Sequence, residues 1–185
     1  MNPVDIIKKY YNPDTLAFKI LLNHSEKVAE KALQVAEKFK VDKNFIYEAS
    51  MLHDIGIFMT DTPKLDCHGS FPYIAHGYLG REIVEKEGYP EHALVCERHT
   101  GVGITKEEII KNKLPLPPRD MLPITTEQKI IAFADKFFSK EPDGSVRIRT
   151  VEEIIQDLSK YGEEKVNIFK NWLLIFEGTA YKTVP

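Results

Sequence analysis

Cysteine is scarce: Cys67 and Cys96 are the only two in 185 residues, too few for a disulfide framework and suited to a reducing compartment. Basic residues are not in excess either. The 25 Lys and Arg against 28 Asp and Glu leave a formal charge of −3, which argues against a general affinity for nucleic acid. A local basic pocket for a small phosphorylated molecule stays open. No apolar run approaches the length of a bilayer span, and the opening Met1–Tyr11 lacks the apolar core of a secretory leader. A cytoplasmic protein without a membrane partner is expected. Repeats, low-complexity tracts and linkers are missing too, so a single domain over residues 1–185 is expected, large enough to bury a real core.

Strand patterning is also nearly lacking, and what remains is helical periodicity. Apolar residues at helical spacing predict a short helix over 3–11 and a long one over 14–40, where Leu16, Ile20, Val28, Ala32, Val35 and Phe39 share a side. Asp42 is placed to cap a helix running to Gly56. Residues 58–73 have turn chemistry and no period, as in a functional lid or wall. Helices follow over 74–88 and 90–101, and Thr105 with Glu108 has capping-box spacing. The proline-rich strap from Leu114 to Thr125 cannot be helical through most of its length. A helix over 127–140 and two more within 150–178 complete an all-α fold of about seven to nine helices, with its motifs inside 14–140. The apolar last helix, with Trp172, is core or a contact in a homo-oligomer.

Polar residues interrupt these apolar faces at specific places. His24 lies four residues after Ile20 and four before Val28; His53 and Asp54 follow Phe45, Ile46, Ala49 and Leu52; Asp135 lies among Ile131, Ala134 and Phe138. His76 opens a helix, and His99 is one turn after Val95. Lone buried carboxylates are costly. Imidazole combined with carboxylate suits Zn, Fe, Mn or Ni better than Ca or Mg. On pattern alone, histidines tied off in an ordinary core remain an alternative. His68-Gly69 mimics His76-Gly77, and His76 is preferred because it opens an apolar helix.

The order of these residues resembles the HD-domain superfamily of metal-dependent phosphohydrolases. A His, a later His-Asp pair and a distal Asp fall on His24, His53-Asp54 and Asp135. His53-Asp-Ile-Gly56, His76-Gly77, Arg98-His99 and Ala134-Asp135 resemble the HDIG-type branch. The resemblance implies two divalent transition metal ions (Fe, Mn, Zn, Co or Ni). His24, His53, Asp54 and Asp135 would hold one, His76 and His99 the other, and Asp54 would bridge them as the residue on which catalysis turns. The implied activity is hydrolysis of a phosphate ester or anhydride, with a nucleotide the expected partner. Relatives with the same residues also include di-iron oxygenases, and a metal- and nucleotide-binding regulator without turnover is the third class. In several branches a lysine shortly follows the His-Asp pair, where this chain has Ile57. A replacement cation is therefore expected from Arg119 first, or from Arg98, Arg81, Lys136 or Lys140, because an Arg fork on a stiff strap suits phosphate.

Overall fold

The structure, a computed structural model, describes residues 1–180; residues 181–185 of the expected domain lie outside the described residues. Among the described residues there are nine α-helices: α1 Pro3–Tyr10, α2 Leu16–Ala36, α3 Lys43–Leu52, α4 His76–Lys86, α5 Pro90–Arg98, α6 Lys106–Lys111, α7 Thr126–Asp135, α8 Val151–Ser159 and α9 Glu163–Glu177. The fold is all-α, as expected. Side-chain oxygens start most of these helices. Thr15, Asp42 and Thr125 accept from the backbone N–H three residues on, and Thr105–Glu108 and Thr150–Glu153 form reciprocal capping boxes. No described helix is long and apolar enough to cross a membrane.

One expectation about secondary structure is corrected. α7 stops at Asp135, and Phe138–Lys140 is instead strand β3, antiparallel to β4 at Val146–Ile148. Cross-strand pairing around the Asp143-Gly144 turn overrides a local helical preference there; Gly144 has φ +86, a conformation natural to glycine. The segment 58–73, expected as turn-rich and without a period, is built from 3-10 turns and a two-residue ladder that pairs β1, Asp61–Thr62, with β2, Cys67–His68.

The apolar interior divides into two clusters. One gathers Val28, Ala32, Ile46, Ala49, Val95, Ile130, Phe133, Phe169 and Leu173; the other gathers Ile7, Phe18, Leu21, Leu52, Ile55, Ile57, Val84 and Cys96. α2 and α3 run through both clusters. Along α2 the seam falls between Leu21 and Val28, where His24 lies fully buried. The helices therefore bring their polar residues to the boundary between two apolar masses, where water is excluded.

Candidate metal centre

α3 ends at Leu52, four residues before the expected stop at Gly56. The early end is what aims the His-Asp pair. His53 is the C-cap, and Asp54 leaves the helical path at φ −104, ψ 8 before a 3-10 turn over Ile55–Met59. Gly56 is a packing residue, because a Cβ there would come within 2.2 Å of the His76 carbonyl oxygen and 2.5 Å of the Gly80 nitrogen. This close approach seats α4, and with it His76, against the turn carrying Asp54.

Three imidazoles are oriented by the same local device. His53 Nδ1–H donates to Ser50 O at 2.6 Å, His76 Nδ1–H to Tyr73 O at 2.6 Å and His99 Nδ1–H to Cys96 O at 2.7 Å. A carbonyl three residues back selects the tautomer, so that in each neutral ring Nε2 is the lone pair facing the seam.

The six side chains converge in two overlapping sets, His24, His53, Asp54 and Asp135, and Asp54, His76 and His99. Within each set the ligand atoms lie within 4.8 Å of one another. His24 Nε2 is 3.0 Å from Asp135 Oδ1 and 3.3 Å from Asp54 Oδ2; His53 Nε2 is 3.4 and 3.3 Å from the same two oxygens. The other oxygen of Asp54, Oδ1, is 3.3 Å from both His76 Nε2 and His99 Nε2. Asp54 thus divides its two oxygens between the two sets.

Around Asp54 Oδ1 these contacts are acceptors facing acceptors. His76 Nε2 and His99 Nε2 approach to 3.1 Å, although each ring has its proton on Nδ1. Asp54 Oδ1 is buried without a hydrogen-bond partner. Lone pairs packed so closely need a positive charge between them, and this set of nitrogen and oxygen ligands suits a divalent metal ion. Burial disfavours the charged form of His53, but the Asp54 and Asp135 carboxylates outweigh it and raise its pKa to about 9. Burial lowers His24 and His99 to about 4. Burial also opposes the charge on Asp54 and Asp135, yet Lys140 and His53 for the first, and Lys136 and His24 for the second, hold both well below the usual carboxylate range.

The structure sorts the remaining candidates. His68 is exposed, 3.6 Å from Asp66, and stands outside both sets, whereas His76 is buried within one. Ile57 is buried in the second apolar cluster and presents nothing to the centre. Arg119 does not serve the centre as expected: its Nε donates to Glu97 Oε1 at 2.7 Å, and Arg81 binds the other oxygen of the same acid. The strap is pinned by backbone pairing of Met121 with Ile104, and a buried Glu97 needs countercharge. Arg98 donates to Gln128 Oε1 at 3.2 Å. Lys140 does reach the centre, donating to Asp54 Oδ2 at 2.6 Å, and Lys136 lies 2.8 Å from Asp135 Oδ2. Sequence reasoning overlooked Tyr73 and Arg149, which line the same cavity of about 230 Å³ beside Asp135, Lys136, Ser139 and Lys140. Tyr73 had a usable signal, its place one turn before His76. Arg149 had none, because the β3–β4 pairing that brings it there was not foreseen.

Among known proteins, the chain is 41% identical over 138 residues to an uncharacterized protein of Methanocaldococcus jannaschii, covering 74% of this chain and 71% of that protein. It is 32% identical over 162 residues to a tRNA (cytidine(56)-2'-O)-methyltransferase of Thermoplasma volcanium, covering 87% of this chain but only 41% of that one. Among solved structures it is similar to the HD domain of the L. monocytogenes phosphodiesterase PgpH, with 19% identity, a TM-score of 0.47 and coverage of 89% and 98% of the two chains. The HD domain family matches residues 21–139, a stretch that holds all six converging side chains. This chain belongs to the HD domain family.

Proposed function

We propose that the chain is a metal-dependent phosphohydrolase that cleaves a phosphate ester or anhydride, with a nucleotide as its substrate. The observation that carries this reading is the carboxylate of Asp54, each of whose oxygens faces imidazole Nε2 atoms at 3.3 Å. His24, His53, Asp54 and Asp135 would hold one ion, and His76 and His99, with Asp54 shared, a second. Six protein groups around a single ion would leave little room for substrate, whereas two ions sharing a carboxylate can accept all six. Bound divalent ions lower the pKa of water and offset charge on phosphoryl oxygens.

The chain's own residues supply the rest. The carbonyls of Ser50, Tyr73 and Cys96 hold three imidazoles in one tautomer, so no reorientation is needed when a ligand arrives. The two apolar clusters keep bulk water from the seam, which strengthens every charge interaction inside it. At the mouth Tyr73 turns its hydroxyl toward Lys140 while the residue stays partly exposed, and its ring would offer a flank for a nucleotide base. Methyl transfer is not part of the proposal, since the chain spans less than half of the relative that bears that name.

The test is elemental analysis of protein purified without chelator, followed by a phosphate-release screen over mono-, di- and dinucleotides with Mn, Fe, Co, Ni and Zn. Bound transition metal and turnover of at least one compound are expected. Absence of any bound metal, with folding indifferent to chelator, would overturn the reading. Oxygen uptake without phosphate release would replace it with di-iron oxygenase chemistry, and tight nucleotide binding without turnover with a regulator.

A further inference from the structure

Asp54 and Asp135 differ in how much of their charge an incoming ion would claim. Asp135 turns Oδ1 to His24 and His53 and leaves Oδ2 to Lys136, so that lysine can keep its partner when the first set is filled. Asp54 has no oxygen to spare. Oδ1 faces His76 and His99, while Oδ2 faces His24, His53 and also the Lys140 ammonium at 2.6 Å. An ion held by His24 and His53 would approach the same oxygen that Lys140 occupies, and two cations on one carboxylate oxygen repel.

We propose that Lys140 is a displaceable stand-in for metal charge on Asp54 and, once displaced, the cation that anchors a terminal phosphoryl group at the mouth of the centre. This rests on the metal-dependent reading above.

Lys140 ends β3, whose hairpin is tied to α2 by Asn23 Nδ2–H donating to Gly144 O at 2.7 Å, so its backbone is held while its four-carbon stem can swing. The other cations lining the 230 Å³ cavity are engaged: Lys136 with Asp135, and Arg149 with Asp157. Lys140 is the one among them whose partner the ions would take over completely. With Ile57 buried, the segment after the His-Asp pair offers no competing ammonium at that position. A cation freed beside two ions favours a compact dianionic phosphoryl group over an uncharged ligand.

The experiment compares wild type with Lys140→Met, Lys140→Arg and Lys136→Met. Mn²⁺ affinity is read by chelator competition, thermal stability in chelator and in saturating Mn²⁺, and inorganic phosphate binding to the Mn²⁺-loaded protein. Lys140→Met should bind Mn²⁺ about tenfold more tightly and phosphate at least about tenfold more weakly. It should also melt lower in chelator but close to wild type when loaded, widening the gap between the two states. Lys140→Arg should retain phosphate binding, and Lys136→Met should not tighten Mn²⁺. Unchanged Mn²⁺ and phosphate affinities, with equal loss of melting temperature in both states, would make Lys140 an ordinary ion pair and overturn this inference alone. Wild type that takes up no transition metal would overturn it together with the reading it rests on.

Discussion

Two buried acids of this chain, Asp54 and Glu97, behave oppositely. Asp54 and Glu97 are equally buried, each with a side chain 1% exposed. Glu97 meets guanidinium donors on both oxygens, from Arg119 and Arg81. Asp54 Oδ1 meets two imidazole lone pairs and no donor at all. Burial is therefore not what marks a site. Glu97 is an acid the fold has neutralised for its own stability, whereas Asp54 is left to be completed by something else.

The sharpest way to test this contrast is Asp54→Ala. It should abolish turnover and lower metal content at both positions while the helical circular dichroism barely changes; retained turnover would contradict the shared role of Asp54. His76→Ala should empty one position selectively, read as metal stoichiometry, with the His24–His53–Asp135 set still loaded. Glu97→Ala should invert the pattern, costing about 3 kcal/mol of stability, the low end for a broken buried pair because both arginines reach solvent. Its metal content should equal wild type. If Glu97→Ala lost metal as readily as Asp54→Ala, the two acids would not be distinct in kind.

Acidity probes the same difference without mutation. In chelator, His24 and His99 have folded pKa values of about 4, below their ordinary 6.5, so the unfolded chain binds protons that the fold refuses. Stability should fall as pH drops from 6.5 through 4. Asp54 and Asp135, depressed in the fold, add to that loss at lower pH. His53 has the opposite sign: its folded value of about 9 lies above 6.5, so its contribution is complete below 6.5 and disappears as pH climbs through 9. The metal-free protein should melt highest near pH 6.5, and a melting temperature flat from pH 4 to 9 would refute these assignments. The smallest effect is expected from Arg119→Ala, within about 1 kcal/mol of wild type because the side chain is 45% exposed and Arg81 still covers Glu97. Turnover should be unchanged.

Much of the fold was legible before any coordinates. The capping oxygen of Asp42 and the capping-box spacing of Thr105 and Glu108 are local signals, and the apolar period identified the longer helices. The residues of the centre were legible for a related reason: a histidine or aspartate within an apolar stripe breaks a pattern that neighbouring positions define. Which cation reaches the centre was less legible. Arg119 and Lys140 are both plausible from type and position, and what separates them is the β3–β4 hairpin, a non-local pairing with almost no trace in helical periodicity. The role of Gly56 was misread for the same reason, since the backbone it lets approach belongs to α4, some twenty residues later.

Local periodicity, turn chemistry and the order of His24, His53-Asp54, His76, His99 and Asp135 determined the helical class and the family of this chain, because each is written in neighbouring residues. Tertiary structure alone decided that Asp54 divides its oxygens between two sets of imidazoles, that Arg119 is held by Glu97, and that Lys140 reaches Asp54. Those outcomes depend on distances between side chains from separate elements, which are set when the two apolar clusters pack and the seam between them closes.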